Sequence, residues 1–192
     1  MTPTTAGSAP AAAGSAPAAA GSAPAAAGSE RPLALPAYPP YDCAPAPFAA
    51  TPGLEYRFTI RALVDPERVI GHIGAGSLLY IPITGGTVSG GGVDGTVLGG
   101  GGDWAVENDV DVFVEARYQF QTHDGTMVDV VNTGIGRFTD DEHTTVGYFA
   151  TRPIFRVADE RLRHLTDRVY LGWAVSTPEY TEIDIYEVTS PR

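Results

Sequence analysis

The sequence contains no lysine, and all twelve of its basic residues are arginine. Chemistry that requires a lysine amine, such as Schiff-base formation, pyridoxal phosphate attachment or a phosphate-binding P-loop, is therefore excluded. Cysteine is almost absent too, with Cys43 as the single example. One cysteine forms neither an internal disulfide nor a multi-cysteine zinc site, and it fits a reducing cytoplasm, which we take as the expected compartment.

Long apolar runs and basic surfaces are also missing. No segment approaches the ~20 apolar residues of a membrane-spanning helix, and the N-terminus has neither the basic residues nor the apolar run of a secretory signal. From residue 54 onward the chain has 11 Arg against 21 Asp and Glu, a net charge of −10. Because such a surface repels phosphate groups, we expect a small-molecule ligand, and neither nucleic acid nor a membrane, as the partner. Assembly into a homo-oligomer stays open.

Residues 1–53 differ in composition from the rest of the chain. They hold eleven of the sixteen prolines and only two acidic residues, and the heptad GSAPAAA occurs three times between Gly7 and Ala27. These residue types have no large apolar side chain, so burial cannot offset the entropy of ordering them. The sequence therefore predicts a disordered Ala/Pro/Gly/Ser-rich linker over 1–53, natural or engineered, and a single folded domain over 54–192.

Alternating apolar and polar residues in 54–192 predict half-buried β-strands. The alternation is clearest in Leu54–Val64 and in Val110–Gln121, and the Asp124-Gly125 pair after the second segment indicates a hairpin turn. Pro82 and the Arg152-Pro153 pair predict edge positions or bulges in their strands. The predicted elements are strands at Leu54–Val64, Ser77–Ser89, Gly95–Leu98, Trp104–Glu107, Val110–Gln121, Thr126–Thr133, Val146–Val157, Arg168–Val175 and Tyr180–Val188, with one helical turn at Asp159–Leu165.

Glycine is concentrated in one part of this domain, where ten of the eighteen residues from Gly85 to Gly102 are glycine. A helix does not tolerate that density, and glycine between strands marks bends, bulges or close approach of the backbone to another group. The segment is therefore predicted to form a sharply bent hairpin at the mouth of a cavity. About eight or nine short strands with almost no helix favour an all-β fold, a closed or nearly closed antiparallel β-barrel, over a sandwich. A barrel of this size can enclose a small ligand.

Four segments, taken together, resemble one family. They are IPITGGTVSG…GTVLGGGGDW (Ile81–Trp104), EARYQFQTHDGTMVDVVNTG (Glu115–Gly134), YFATRPIF (Tyr148–Phe155) and IDIYEV (Ile183–Val188). In this order they are similar to the domain-of-unknown-function 3237 family, the UPF0311-type proteins. The resemblance implies a lipocalin-like β-barrel with an internal pocket and no obligatory cofactor. It also implies work on small metabolites in secondary metabolism, by cyclisation, isomerisation, dehydration or hydrolysis.

The chain departs from the family pattern at three places. Family members have an Arg-rich stretch where this chain has Gly76–Tyr80, and an acidic residue where it has Arg156. They have an aromatic-Leu-Asn segment where this chain has His164–Thr166. If those positions hold an anionic substrate in the family, the substrate of this chain is expected to be different and more apolar.

Asp103 and Trp104 follow directly on the glycine-rich segment. A carboxylate held beside an aromatic ring at such a corner can have a raised pKa and act as a general acid or base; the alternative is an Asp that caps a turn. Trp104 is a candidate for stacking on a planar ligand, with an ordinary core position as the alternative.

Glu115, Arg117 and Tyr118 lie close together on one predicted strand. Glu115 and Arg117 share a face, so they form either a buried acid with an orienting cation or an exposed ion pair. The apolar character of the opposite face favours the exposed pair, whereas the Arg-Tyr element of the resemblance favours a role in the site. Tyr118 lies on the apolar face and would offer its phenol inside the barrel.

Tyr56 and Arg152 complete the candidate ligand-binding residues. Tyr56 lies on the apolar face of the first predicted strand, and Arg152 could clamp a ligand carboxylate or form a salt bridge at the rim. The acidic run Asp140–His143 lacks the spacing of a calcium loop and is interpreted as a solvated loop, so no metal site is expected.

These observations give two hypotheses for function. In the first, the domain is a cofactor-independent enzyme that acts on a small, largely apolar metabolite; in the second, it is a non-catalytic, lipocalin-like binding protein with the same pocket. Two titratable groups that face one point in the pocket favour the enzyme, and a wholly apolar pocket favours the binding protein. The residues predicted for catalysis are Asp103, Glu115 and Arg117, and those predicted for ligand binding are Trp104, Tyr118, Arg152 and Tyr56.

Overall fold

The computed structural model describes residues 51–140 and 142–190. The predicted disordered linker falls on residues 1–50, outside this range, apart from its last three positions. Neither of the short helical segments in the described residues is long or apolar enough to cross a membrane. The elements are β1 (Gly53–Val64), β2 (Arg68–His72), β3 (Ser77–Ser89), β4 (Gly95–Val97), β5 (Gly101–Glu107), β6 (Asp111–Thr122), β7 (Met127–Phe138), β8 (Val146–Arg156), a 3-10 turn (Glu160–Leu162), α1 (His164–Asp167), β9 (Tyr170–Ser176) and β10 (Tyr180–Thr189).

The strands form one antiparallel sheet that closes into a barrel. Around the ring, β1 is followed by β10, β9, β8, β7 and β6, and β3 pairs with β1 to close the circle. β4 and β5 lie one after the other between β6 and β3, so they share one place in the ring and the barrel has eight strand positions. The predicted closed antiparallel β-barrel is therefore confirmed, and β2 is an addition that pairs with β3 beside the ring.

Both strand prolines lie where a ladder of hydrogen bonds is interrupted, as predicted. On one side β3 pairs with β2 as far as Tyr80 and with β1 from Ile83 onward, so Pro82 falls between the two ladders. On β8 the ladder to β9 ends at Thr151, so Pro153 lies beyond it. Because proline has no N–H to donate, these positions accept it without the loss of a ladder hydrogen bond.

One end of the barrel is filled with large apolar side chains. The rings of Phe58 and Tyr170 each lie against Phe155, with centroids 5.6 and 5.4 Å apart, and Phe120 belongs to the same core. Leu165 of α1 is buried in this core and packs beside β8, where the ladder to β9 is short. We call this end, defined by Phe58, Phe120, Phe155, Leu165 and Tyr170, the closed half.

A bulge in β1 changes the face that its first residues present. Tyr56 pairs with Tyr186 of β10, but Phe58, two residues later, pairs with Ile185, the very next residue on β10. Arg57 is therefore an extra residue, and the side chains before it change sides of the sheet. Tyr56 is 49% exposed on the outer face, where its ring packs edge-on against Tyr186. The predicted position of Tyr56 on the apolar face of this strand is thus corrected.

The glycine-rich segment bends sharply in the β3–β4 turn, which lies at the closed half. Gly91 in the β3–β4 turn has a φ of +60°, and a Cβ there would collide with the carbonyl oxygen of Arg57. Val93, two residues later, is buried in the same core as Phe58. The expectation that this segment lines the mouth of a cavity does not hold for the internal cavity of the barrel, described below, since its described lining residues include none of these glycines. Gly91, Gly99, Gly100 and Gly101 line more open grooves instead.

Two strands differ in extent from the prediction. β2 forms where the sequence predicts no strand, because the first residues of β3, Ser77–Tyr80, extend beyond the reach of β1 and take β2 as their partner. β7 continues to Phe138 through Gly134 and Gly136, two glycines that lower the strand propensity of this segment. A Cβ at Gly134 would collide with the carbonyl oxygen of Ala150 and with the side chain of Thr151 on β8.

Candidate active site

The other end of the barrel contains a cavity of about 300 Å³. Its exposed rim is formed by the β1–β2 turn at Asp65–Glu67 and by the β9–β10 turn, at the end opposite α1. The volume is at the lower end of the roughly 300–1,000 Å³ typical of small-molecule sites. The lining residues are Ala62, Val64, Asp65, Pro66, Glu67, Ile81, Ile83, Asp103, Val114, Ala116, Tyr118, Asn132, Phe149, Thr151, Ser176, Thr177, Pro178, Thr181 and Ile183.

Small residues keep this half of the barrel hollow. Ala62 and Ala116 occupy inward positions on β1 and β6, where the closed half has phenylalanine on the same two strands. Gly172 on β9 leaves space for the hydroxyl of Thr151, which a Cβ at this position would strike. Gly101 likewise lets Tyr118 lie directly against the backbone of β5. We call this end the cavity half.

Asp103 is the carboxylate inside the cavity. On β5 it pairs with Ile81 of β3 on one side and with Ala116 of β6 on the other, and its side chain lines the cavity. The β5–β6 ladder skips the two residues after Asp103, and the Asp103 Oδ1 atom accepts a 2.9 Å hydrogen bond from the backbone N–H of Glu115. Asp103 therefore stays tied to the wall of the barrel.

The environment of Asp103 raises its pKa from 3.8 to about 7. Desolvation by the surrounding protein is the main cause, and the hydrogen bond from Glu115 N–H opposes it. The negative charge of the Glu115 side chain adds a smaller upward contribution. No basic residue is among the described residues that line the cavity, so the Asp103 carboxylate has no cation beside it there.

Three further polar residues line the cavity, and each has a buried oxygen without a hydrogen-bond partner in the described residues. These oxygens are the hydroxyl of Tyr118, the Oδ1 atom of Asn132 and the Oγ1 atom of Thr151, on residues that are 4%, 3% and 4% exposed. An unpaired buried polar group costs about 1–3 kcal/mol, so the wall of the cavity carries this cost at three places. Burial, and then the charge of Asp103, raise the pKa of Tyr118, which keeps its phenol neutral.

The register of the sheet places Asp103 and Asn132 on one row of the inner wall. Asp103 is paired with Ala116, and Ala116 is paired with Asn132 of β7. Two strand spacings separate the Cα atoms of Asp103 and Asn132 by roughly 10 Å, with only a methyl group between them. Tyr118 is two residues from Ala116 on β6 and lies one step deeper. A ligand group that sits over Ala116 can therefore reach polar atoms on both sides.

The structure brings together two of the seven predicted site residues, Asp103 and Tyr118. The other five lie on the outer face of the barrel: Trp104, Glu115, Arg117, Arg152 and Tyr56. Trp104 is 42% exposed and packs against the ring of Tyr80, with centroids 5.1 Å apart. Glu115 and Arg117 form an exposed ion pair at 2.8 Å, the second of the two arrangements considered for them.

Arg152 is exposed and donates a 3.3 Å hydrogen bond to the hydroxyl of Thr133 on the neighbouring strand. It is thus outside the cavity, where it cannot clamp a ligand carboxylate. No group of three or more His, Cys, Asp or Glu side chains suited to a metal ion occurs in the described residues.

Asn132 and Thr151 are site residues that the sequence analysis missed. Each occupies an inward position in an alternating strand, Asn132 after Val128 and Val130, and Thr151 between Phe149 and Pro153. A polar residue at a position where the pattern demands an apolar one was the available signal.

Comparisons with known proteins agree with this fold. Residues 52–188 match the profile of the family described as "Protein of unknown function (DUF3237)". A UPF0311 protein of Rhodopseudomonas palustris is 36% identical over 152 residues, which cover 72% of this chain and 99% of that protein. The crystal structure of a conserved protein of unknown function from Rhodopseudomonas palustris superposes with a TM-score of 0.67 at 34% identity, over 72% of this chain and 98% of that one.

Two more distant solved structures share the fold. A "beta-barrel like protein" of Acinetobacter baumannii has a TM-score of 0.64 at 24% identity, over 72% of this chain and 97% of that one. A structure described as an enzyme from Penicillium herquei has a TM-score of 0.54 at 22% identity, over 70% and 94% of the two chains.

Proposed function

The chain belongs to the DUF3237 family, and from this premise we propose that it is a cofactor-independent enzyme that acts on a small, largely apolar metabolite by acid–base catalysis in the barrel cavity. The observation that carries the proposal is the convergence of a carboxyl group and a phenol, Asp103 and Tyr118, on an otherwise mostly apolar cavity. The distant likeness to a barrel described as an enzyme is in keeping with it. A place in secondary metabolism and in the cytoplasm belongs to the same proposal.

In this mechanism Asp103 moves the proton. A group with a pKa of about 7 is populated in both protonation states at neutral pH, so it can take a proton from one substrate atom and return it to another. Its hydrogen bond to Glu115 N–H fixes one carboxyl oxygen and leaves the other for the substrate. Such general acid–base catalysis contributes typically 10²–10⁴-fold to a rate.

Tyr118 stabilises the charge that the proton transfer creates. Its neutral phenol is a hydrogen-bond donor, and its hydroxyl has no partner in the described residues that would compete with a substrate oxygen. Asn132 and Thr151 are the further polar residues of the cavity wall that can orient the substrate. Isomerisation, cyclisation, dehydration and hydrolysis all fit this set, because each needs a proton moved while a nearby oxygen gains charge.

The alternative is a non-catalytic small-molecule binding protein of the lipocalin type. Most of the lining side chains are apolar, which favours binding without chemistry, and the hydrogen bond to Glu115 N–H gives Asp103 a structural role. In that case Asp103 would hold the β5–β6 seam together and take no part in a reaction.

The test uses 5-nitrobenzisoxazole, a small neutral aromatic molecule from which a base removes the C3 proton while the ring N–O bond breaks to give a phenolate. We expect the protein to accelerate this elimination above an equal concentration of free acetate, and Asp103→Asn to lower the rate at least ~10²-fold while it still binds the probe. The matched control is Asp129→Asn, which removes an outer carboxylate that pairs with Arg156. Binding of the probe with equal, background rates in all three proteins would establish the binding protein instead.

A further inference from the structure

The charged groups around the cavity are all of one sign. Asp65 and Glu67 lie exposed on its rim, and Asp103 lies inside, while the described lining residues include no Arg or His. Three arginines on the surrounding strands lie outside the cavity lining: Arg61 pairs with Glu182, Arg117 pairs with Glu115, and Arg68, next to Glu67, lies over the ring of Tyr80. Among the described residues, the charged side chains that line the way into the cavity are therefore all acidic.

Asn132 lies on the same row of the inner wall as Asp103, with Ala116 between them. Its amide carries both a donor and an acceptor, so it can pair with either kind of ligand group and does not select between them. The selective polar group at this place is the carboxylate of Asp103, whose Oδ1 atom alone is bound by the Glu115 N–H. The group that fits beside it, over Ala116, is a hydrogen-bond donor.

A positive charge on that donor supplies the counter-charge that the Asp103 carboxylate lacks. Glu187 in the closed half has two arginines as partners, but the described residues that line the cavity give Asp103 no cation. A desolvated carboxylate without a counter-charge gains more from a bound cation than an exposed one does, because the surrounding medium screens the attraction less. A carboxylate ligand at the same place would be repelled by Asp103.

We propose that the cavity recognises a small apolar molecule bearing a protonated amine, which sits over Ala116 beside Asp103, and that it rejects carboxylate analogues. This inference rests on the proposed function, since it names the substrate class of the same site. It assigns Asp103 as the counter-ion of the amine and the rim acids Asp65 and Glu67 as a filter against anions.

The probes are benzylamine, benzyl alcohol and benzoate, which share one ring and carry a cationic, a neutral and an anionic head group at about pH 8. Calorimetric titration of the full chain is expected to give benzylamine an affinity at least about tenfold above that of benzyl alcohol, with benzoate weakest. The Asp103→Asn variant is expected to remove the preference for the amine and leave the affinity for the alcohol within about threefold.

Two further variants keep the test independent of any effect on folding. The exposed rim pair Asp65→Asn with Glu67→Gln is expected to weaken the discrimination against benzoate, whereas Glu160→Gln, on the closed half, leaves all three affinities unchanged. Benzoate binding as tightly as benzylamine, or an amine preference that survives Asp103→Asn, overturns the inference. Neither outcome refutes the proposed enzyme if benzyl alcohol still binds and the elimination of 5-nitrobenzisoxazole is still accelerated. Conversely, if the elimination is not accelerated but benzylamine still binds most tightly, only the proposed enzyme is refuted.

Discussion

The two halves of the barrel are built from the same strands and differ in the size of their inward side chains. On β6, Phe120 fills the closed half, and Ala116, four residues earlier, leaves space in the cavity half. On β1 the same step separates Phe58 from Ala62. Alternation determines which side chains face inward, but side-chain volume along each inward row determines whether the barrel is solid or hollow.

The two halves also differ in the partners, and therefore in the pKa, of the carboxylate that each contains. Burial raises the pKa of Glu187, but hydrogen bonds from Arg168 and Arg57 outweigh it and leave the pKa below its usual value. Asp103 has one backbone hydrogen bond and, among the described residues that line the cavity, no such cation, so desolvation prevails and its pKa is raised. The buried acid of the closed half is thus paired with cations, whereas Asp103, with a pKa of about 7, is populated in both protonation states at neutral pH.

The largest expected effect tests the difference in packing between the closed half and the cavity half. Phe120→Ala removes a ring from the solid core, so we expect the free energy of unfolding to fall by about 3–5 kcal/mol in chemical denaturation. Thr151→Val in the cavity half replaces an unpaired hydroxyl with a methyl group and is expected to leave stability unchanged or higher. Equal losses in the two variants would mean that the cavity half is as tightly packed and paired as the closed half.

A second effect concerns the pH dependence of stability. Because the folded pKa of Asp103, about 7, exceeds its unfolded value of 3.8, the folded state holds this proton more tightly. The contribution of this proton to stability is therefore greatest at low pH. It declines as the pH rises from the unfolded pKa to the folded pKa, by at most about 1.4 kcal/mol per pH unit. The difference in unfolding free energy between the native chain and Asp103→Asn is expected to follow this slope, and a difference independent of pH would contradict it.

A third effect fills the cavity. Ala116→Leu places a larger side chain between Asp103 and Asn132, so we expect benzyl alcohol to bind at least about tenfold more weakly in calorimetry. Because the new side chain enters empty space, stability is expected to change by less than the roughly 1–3 kcal/mol of overpacking in a solid core. Unchanged binding would place the ligand site outside the cavity.

The smallest effect belongs to the outer surface. Arg117→Gln breaks an exposed ion pair, so the free energy of unfolding is expected to change by about 0–1 kcal/mol. The rate of 5-nitrobenzisoxazole elimination is expected to stay within twofold, about 0.4 kcal/mol, of the native rate. A large loss of rate would mean that Arg117 belongs to the catalytic site, and it would contradict the outward orientation of its strand face.

The sequence predicts the barrel, but it predicts only two of the four polar residues described inside the cavity, Asp103 and Tyr118. Strand alternation and turn residues predict the closed sheet, because both are local properties. Asp103 and Trp104, and likewise Arg117 and Tyr118, are neighbours on strands, so only one of each pair can face inward. Which one does so follows from the packing of the whole barrel.

Local patterns fail where a structural feature depends on distant contacts. The bulge at Arg57, which turns Tyr56 outward, is set by pairing with β10, more than a hundred residues away in sequence. Asn132 and Thr151 become site residues only because the barrel closes around empty space. β2 forms because the first residues of β3 extend past the end of β1 and pair with β2 instead.

The central claim is that the cavity half holds a desolvated carboxyl group with no cation among the described residues that line the cavity. It is tested most directly by titration of Asp103 itself. Carbon-13 NMR of aspartate-labelled protein, with Asp103→Asn to assign the signal, follows the carboxyl carbon as the pH changes. We predict a midpoint at a pH of about 7, well above the usual 3.8. A midpoint near 4, the value of an exposed aspartate, would contradict the account.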